Sequence, residues 1–375
     1  MTLAALPPLL RHHPQIAGLA GAPAAVVAVP EPARAFTVAG LAHLSGRTPL
    51  VVAVPTTAEA ERLASDLCVY LGDSADVETF PAWETLPFER VSPAVETMGR
   101  RLRVMWRLRH PEHAPRVVVA PIRALVQRLG PHVEEVEPIS VRPGDQLDPD
   151  DLVRRLVALG YRREYQVEHR GEVARRGSIV DVFPSTDDEP VRIDLWGDEV
   201  DRLTRFSVAD QRSTTDVECA ELFPSREVLP TDDVRERAAR LVGEEPWGRE
   251  QWERLAQGLT FDGMESWLPW LSDREHLLPD LLPDDALVLL VEPKRTRDRA
   301  QELLDEEVSL ASTLSATWGA TPGRDFPRLS LPFDRLLAHT KAGATAVLAA
   351  PESPDTPLLA GAGFDPVVGD TEGIT

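Results

Sequence analysis

Cysteine is nearly absent. The 375 residues contain two, Cys68 and Cys219, far apart and without metal-type neighbours. That excludes a disulfide framework and points to a reducing, cytoplasmic setting. A basic surplus is missing as well, since the formal net charge is −21. Sequence-independent binding to duplex DNA needs excess Lys and Arg to neutralise phosphates, so a free-standing DNA-binding protein is disfavoured unless arginines cluster locally. No run approaches the roughly 18 apolar residues of a membrane helix, and MTLAALPPLLRHHPQ lacks the basic start and clean apolar stretch of a signal peptide. The nine histidines show no metal-ligand spacing: His12 and His13 are adjacent near the terminus, and His110 and His113 lie around a proline. Ser92 and Ser178 lack the flanking glycines of a nucleophile elbow. Asp150 with Asp151, and Asp187 with Asp188, read as helix-start and turn residues. What is present is the make-up of a globular protein, 43% hydrophobic and 27% charged, long enough for two or three domains.

The hydrophobic pattern divides the chain. AAVVAV, TPLVVAVP and RVVVAP are near-continuous aliphatic runs that alternate with the helical patterns ARAFTVAGLAHL, AEAERLASDLCVYLG, MGRRLRVMWRLRH and IRALVQRLG. Such alternation indicates a parallel α/β sheet covered on both faces. From Pro131 the pattern changes. A strand near VEEVEPISVRPG precedes a helix capped by Asp148, started by Pro149 and stopped by Gly160, with Leu152, Val153, Leu156 and Val157 as its apolar face. Strands with little helical period follow to about Phe206, the pattern of a small antiparallel α+β unit. Helices then return in DDVRERAARLV and EQWERLAQGL, and ALVLLVEPKRTRDRAQELL gives another buried strand and helix. The expected geometry is an α/β domain in two halves, residues 1–124 and 206–342, with residues 125–205 inserted between them. Residues 343–375 read as the truncated start of a further unit.

An α/β domain that opens strand, loop, helix is where a phosphate-cradling P-loop would sit. Here the loop after Val29 is Pro30, Glu31, Pro32, Ala33, Arg34. It has no glycine or lysine, and Glu31 repels phosphate. Where a nucleoside triphosphatase carries an acidic pair for magnesium, VLLV is followed by Glu292, Pro293 and Lys294, of which Glu292 alone is of the right type. Gly18 and Gly21 in AGLAGAP precede the strand instead of following it.

One strand stands out. Val191 to Trp196, VRIDLW, alternates so that Val191, Ile193 and Leu195 share one face while Arg192, Asp194 and Trp196 share the other. With the aliphatic face on a core, Arg192 and Trp196 point together toward solvent, the composition of a protein-binding hot spot. The alternative is an ordinary strand whose Trp lies under a loop.

Five segments in order, AGLAGAP, FPAWETLPFERVSP, ALGYRREYQVEHRGEVARRGSIVDVFP, VRIDLWGDEVDRLTRFSVADQRS and GLTFDGMESWLP, resemble the N-terminal region of the bacterial transcription-repair coupling factors, itself similar to the excision-repair protein UvrB. The resemblance covers roughly residues 5 to 342. It implies a degenerate, helicase-like α/β domain in two halves, with the inserted α+β domain docking on UvrA. Carried over by position, the UvrA-contacting residues fall on Arg176 in ARRG, Arg192 in VRID, and Trp196, where other members often have Phe. Gly177 permits a bulge, so strand parity alone leaves the face of Arg176 open. The family's RNA polymerase-binding domain and DNA-translocating motor have no counterpart in these residues, and FPAWETLPFERVSP is too short and tyrosine-poor for UvrB's DNA-clamping hairpin. The resemblance therefore implies a non-catalytic recruitment module without cofactor, metal or membrane contact. Its rival is a DNA-dependent ATPase or helicase.

Overall fold

The computed structural model describes residues 3–13, 16, 25–72, 76–318, 326–339 and 344–348. AGLAGAP and the residues after 348 lie outside these. The chain opens with β1 (Ala25–Ala28), α1 (Arg34–Leu44), β2 (Leu50–Val54), α2 (Thr57–Leu71), β3 (Val77–Thr79), α3 (Val95–Arg109), β4 (Val117–Pro121) and the short α4 (Ile122–Val126). β5 (Ile139–Val141) and α5 (Pro149–Ala158) lead into β6 (Arg162–Arg163), β7 (Glu172–Arg176), β8 (Ile179–Val182), β9 (Val191–Trp196), β10 (Glu199–Phe206), β11 (Ser213–Asp216) and β12 (Ala220–Leu222). Next come α6 (Asp232–Glu244), α7 (Arg249–Ala256), α8 (Leu268–Leu271), β13 (Leu287–Val291), α9 (Pro293–Trp318), α10 (Phe333–His339) and β14 (Ala344–Leu348).

Strands from both ends of the sequence build one parallel sheet, ordered β1-β14-β13-β2-β4-β3. β2, β4 and β13 are buried at every position, as strands covered on both faces must be. Alternate residues serve opposite cores. Val51, Val118, Val288 and Leu290 pack with Leu102 and Met105 of α3, and Leu50, Val52, Val119 and Leu289 pack with Val38 and Leu41 of α1 and Leu63 and Leu67 of α2. α2 is capped by the Thr56 hydroxyl, which accepts from the Glu59 amide at 3.3 Å, and it ends at Gly72 with φ +80°.

The second sheet is ordered β11-β10-β9-β8-β7-β6, with every neighbouring pair antiparallel except β6 and β7. α5 covers one face: Leu152, Val153 and Leu156 pack on Val173, Val180, Val182, Val191, Ile193 and Leu195. Its cap is Asp148, which accepts from the Asp150 and Asp151 amides at 2.8 and 3.2 Å. A fourth, aromatic core forms around α6 to α8, with Trp252, Trp267, Trp270, Trp83 and Phe88 buried together.

Four expectations are corrected. β14 lies between β1 and β13 in the parallel sheet, so residues 344–348 complete that sheet instead of starting a new unit. The second sheet runs through β11 to Asp216, and β12 pairs with β5, so the inserted unit extends past 205. Its start is later than 125, because Leu125, Val126, Leu129 and Val133 belong to the parallel-sheet core. α4 stops at Val126 because Gln127 bridges to Ser330 and the Arg128 guanidinium donates to the carbonyls of Ser272, Arg274 and Arg328. Finally, Val157 is exposed rather than part of the apolar face of α5.

The two sheets are joined at α3. Arg101 and Glu227 have fully buried side chains and form a fork, Nε to Oε2 at 2.8 Å and Nη2 to Oε1 at 3.0 Å. The Trp83 indole also donates to Glu227 at 2.8 Å, and Arg101 donates to the Pro81 carbonyl at 2.9 Å. Close approach continues at Gly99, where a Cβ would meet Ser185 at 2.6 Å. The Ser185 hydroxyl and the Tyr161 hydroxyl both donate to the Phe223 carbonyl, at 3.2 and 2.8 Å. Glu227→Ala strands a buried guanidinium and is expected to lower stability by about 3 to 5 kcal/mol. Denaturation followed by tryptophan fluorescence measures it, and a loss below about 1 kcal/mol contradicts the role assigned to this pair.

Candidate docking face

Two tight turns orient the candidate residues. Arg176 pairs with Ile179 around Gly177-Ser178, and Trp196 pairs with Glu199 around Gly197-Asp198. Gly177 and Gly197 each have φ +65°, and neither Ser178 nor Asp198 has positive φ, the pattern of two-residue type II′ hairpins with glycine first. Gly177 thus serves a turn and not a bulge, which fixes the parity of Arg176. The register pairs Ala174 with Asp181, Asp181 with Arg192, Ile179 with Asp194, and Thr204 with Arg192. Side chains of directly paired residues share a face, so Arg176, Ile179, Asp181, Arg192, Asp194 and Trp196 all lie opposite α5.

This face is closed at one end and open at the other. At the closed end Phe206, Phe183, Val167 and Ala174 form a small apolar cluster. The Gln211 side chain, on a residue with φ +61°, donates to the carbonyls of Val167 and Val208 at 3.2 and 3.0 Å. That segment covers Arg192 and stops short of Trp196. Trp196 is therefore 84% exposed, and the arrangement with this Trp under a loop does not occur.

The expectation that Arg192 points to solvent is corrected. Its side chain is 13% exposed, and all three guanidinium nitrogens have partners. Nε and Nη2 donate to Asp181 at 2.7 and 3.0 Å, and Nη1 donates to the Gln211 carbonyl at 3.1 Å. The guanidinium also lies 4.7 Å from the centre of the Phe206 ring. The Asp181 hydrogen bonds push the Arg192 pKa up. Asp181 is buried, and it takes a second arginine: Arg176 Nη2 donates to its Oδ2 at 2.6 Å. Arg176 is 39% exposed, and Nη2 makes its one hydrogen bond among the described residues. Beside them, burial pushes the Asp194 carboxyl up against the opposing pull of Arg192.

Asp181, Phe206 and Gln211 are the residues that pattern reading missed. A signal for Asp181 was present: SIVDVF carries one Asp in an aliphatic strand, where aspartate is depleted and a buried one must be paired. Gln211 sits in a polar loop without period and left no such signal.

The second candidate region is the start of α1, which the parallel sheet sets beside the end of β13. There Arg34 is ion-paired through Nη2 to Oε1 of Glu292, 258 residues away, and Glu292 itself has φ +50°. The cavity between Glu31, Arg34, Glu59, Arg62 and Val291 is about 50 Å³, far below the roughly 300 Å³ at which small-molecule pockets begin. Among the described residues, no three His, Cys, Asp or Glu side chains are grouped to hold a metal ion, and no helix is long and apolar enough to cross a membrane.

Comparison with known proteins accounts for the second sheet. The UvrB interaction domain family model matches residues 139–228, which span β5 to β12. Over 291 residues, 41% are identical to the transcription-repair-coupling factor of Mycobacterium tuberculosis, covering 73% of this chain and 23% of that protein. The chain matches the N-terminal, UvrB-like region of the transcription-repair-coupling factors. The coupling factor of Myxococcus xanthus is 35% identical over 288 residues, 72% of this chain and 24% of that protein, and that of Escherichia coli is 30% identical over 227 residues, 59% and 19%. This chain therefore spans about a quarter of the length of the curated coupling factors it matches.

Face parity in this coupling-factor region sets a ranking of stabilities. Ile193, fully buried, is expected to cost about 2 to 5 kcal/mol on replacement by Ala, whereas Trp196→Ala changes stability by roughly 0.5 kcal/mol or less. Arg192→Ala falls between them, because Asp181 keeps Arg176 as a partner. Urea denaturation of the three variants checks the order, and a destabilising Trp196→Ala with a benign Ile193→Ala contradicts it.

Proposed function

We propose that this region is a UvrA-recruiting module of a transcription-repair coupling factor, working in the bacterial cytoplasm without catalysis of its own. The observation that carries the reading is Trp196: a large aromatic side chain, 84% exposed, on a rigid strand of the UvrB interaction domain, on the face that also carries Arg176 and Arg192. Tryptophan and arginine dominate protein-binding hot spots, and an 84% exposed Trp on a hairpin has no folding role to explain it. In this reading residues 139–228, the span of the family match, form the docking domain. The parallel sheet, contributed by the chain on either side, is a degenerate helicase-like platform that holds it. RNA polymerase and DNA are partners of the longer coupling factors through other parts of those proteins.

The non-catalytic part rests on the start of α1. Phosphate binding at a helix N-terminus needs glycine, free amides and a lysine, and here Arg34 and Glu292 neutralise each other in that position. An ATPase would need this ion pair broken and Glu31 and Glu59 moved aside.

Titrating UvrA into the chain tests the docking reading. Trp196→Ala is expected to weaken binding by about 2 kcal/mol or more, with the melting temperature unchanged, and an unchanged affinity would falsify the assignment. ATP turnover, with or without DNA, is expected at the level of a mock preparation.

A further inference from the structure

We propose that Asp181 is the positioning residue of this face: it holds Arg192 as an internal strut and presents Arg176, with Trp196, to an acidic side chain on the partner. The inference rests on the docking reading and refines it, because it reassigns the work of the two arginines. Arg192 is closed off from a partner: its side chain is 13% exposed, with Nε and Nη2 on Asp181 and Nη1 on Gln211. Its ring-facing surface is taken by Phe206. Arg176 has one nitrogen on Asp181 and a half-open guanidinium.

Charge gives the same division. The buried Arg192 lies against two carboxylates, Asp181 and the neighbouring Asp194, whereas Arg176 meets Asp181 alone and carries its charge to the exposed side. A buried charge is fixed in place where an exposed arginine otherwise samples many rotamers. Held by Asp181 at one corner, the fork of Arg176 is pre-organised, so docking costs less side-chain entropy. Arg176 lies two strands from Trp196 and one pleat back along the sheet, roughly 12 Å between α-carbons from ordinary strand spacings. The matching partner surface is an apolar recess with a carboxylate at about that distance.

The test is a mutant cycle on the whole chain, titrated with UvrA at low and moderate salt. Arg176→Ala is expected to weaken binding about 30-fold, the effect of losing a hot-spot contact, and to flatten the salt dependence of the association rate. Asp181→Asn and Arg192→Lys are each expected to weaken binding at least tenfold alone and to add nothing in the Arg176→Ala background, because both act through Arg176. Full additivity of Arg192→Lys with Arg176→Ala would mean that Arg192 touches the partner itself and would overturn the inference, as would wild-type affinity for Arg176→Ala. Arg192→Lys keeps the charge opposite Asp181, so it carries the cycle if Asp181→Asn melts the sheet. Trp196→Ala separates the two levels: if it binds normally, the docking reading itself fails, whereas weak binding by Trp196→Ala with additive arginine losses removes only the role of Asp181.

Discussion

The buried fork between Arg101 and Glu227 is the interaction on which the arrangement of this molecule depends. One partner sits on the helix that crosses the parallel sheet, and the other lies 126 residues on, where the chain leaves the antiparallel unit. Neither charge reaches water. Burying both is expensive, and the cost is offset because all three guanidinium nitrogens and both carboxylate oxygens are engaged, with the Trp83 indole on the carboxylate and the Pro81 carbonyl on the guanidinium. Such a pair tolerates one geometry. It fixes the exit of the inserted unit against the helix under it, and Gly99 against Ser185 does the same nearby. The candidate docking face is thereby carried on a rigid mount.

The same device, a carboxylate holding arginine, recurs with different outcomes. At Glu227 it is closed and structural. At the start of α1, Glu292 neutralises Arg34. Glu78 holds both Arg103 and Arg107, at 3.2 and 2.7 Å. At Asp181 it is half open: one arginine is sealed by the loop through Gln211 and the other reaches the surface. In the proposed reading, the site left incomplete is the one that meets the partner.

Local patterns made much of this legible. The aliphatic strands, the Asp148 cap and the parity of β9 follow from short-range stereochemistry, so the side of the sheet that carries Arg192, Asp194 and Trp196 could be read from six residues. The accessibility of Arg192 could not. It is set by a loop with no apolar period, held through Gln211 in a positive-φ conformation that sequence did not flag. The place of β14 was likewise hidden, because joining β1 and β13 is a non-local pairing and the residues around it look like the ragged start of something new. Arg34 with Glu292 and Arg101 with Glu227 were invisible for the same reason. Their meaning lies in a partner more than a hundred residues distant.

Amide hydrogen exchange of the chain with and without UvrA tests the central claim most directly. The account predicts added protection in the two hairpins, residues 174–181 and 192–200, with the parallel sheet and the start of α1 unchanged. Protection confined to the parallel-sheet helices, with both hairpins exchanging as in the free chain, would contradict it.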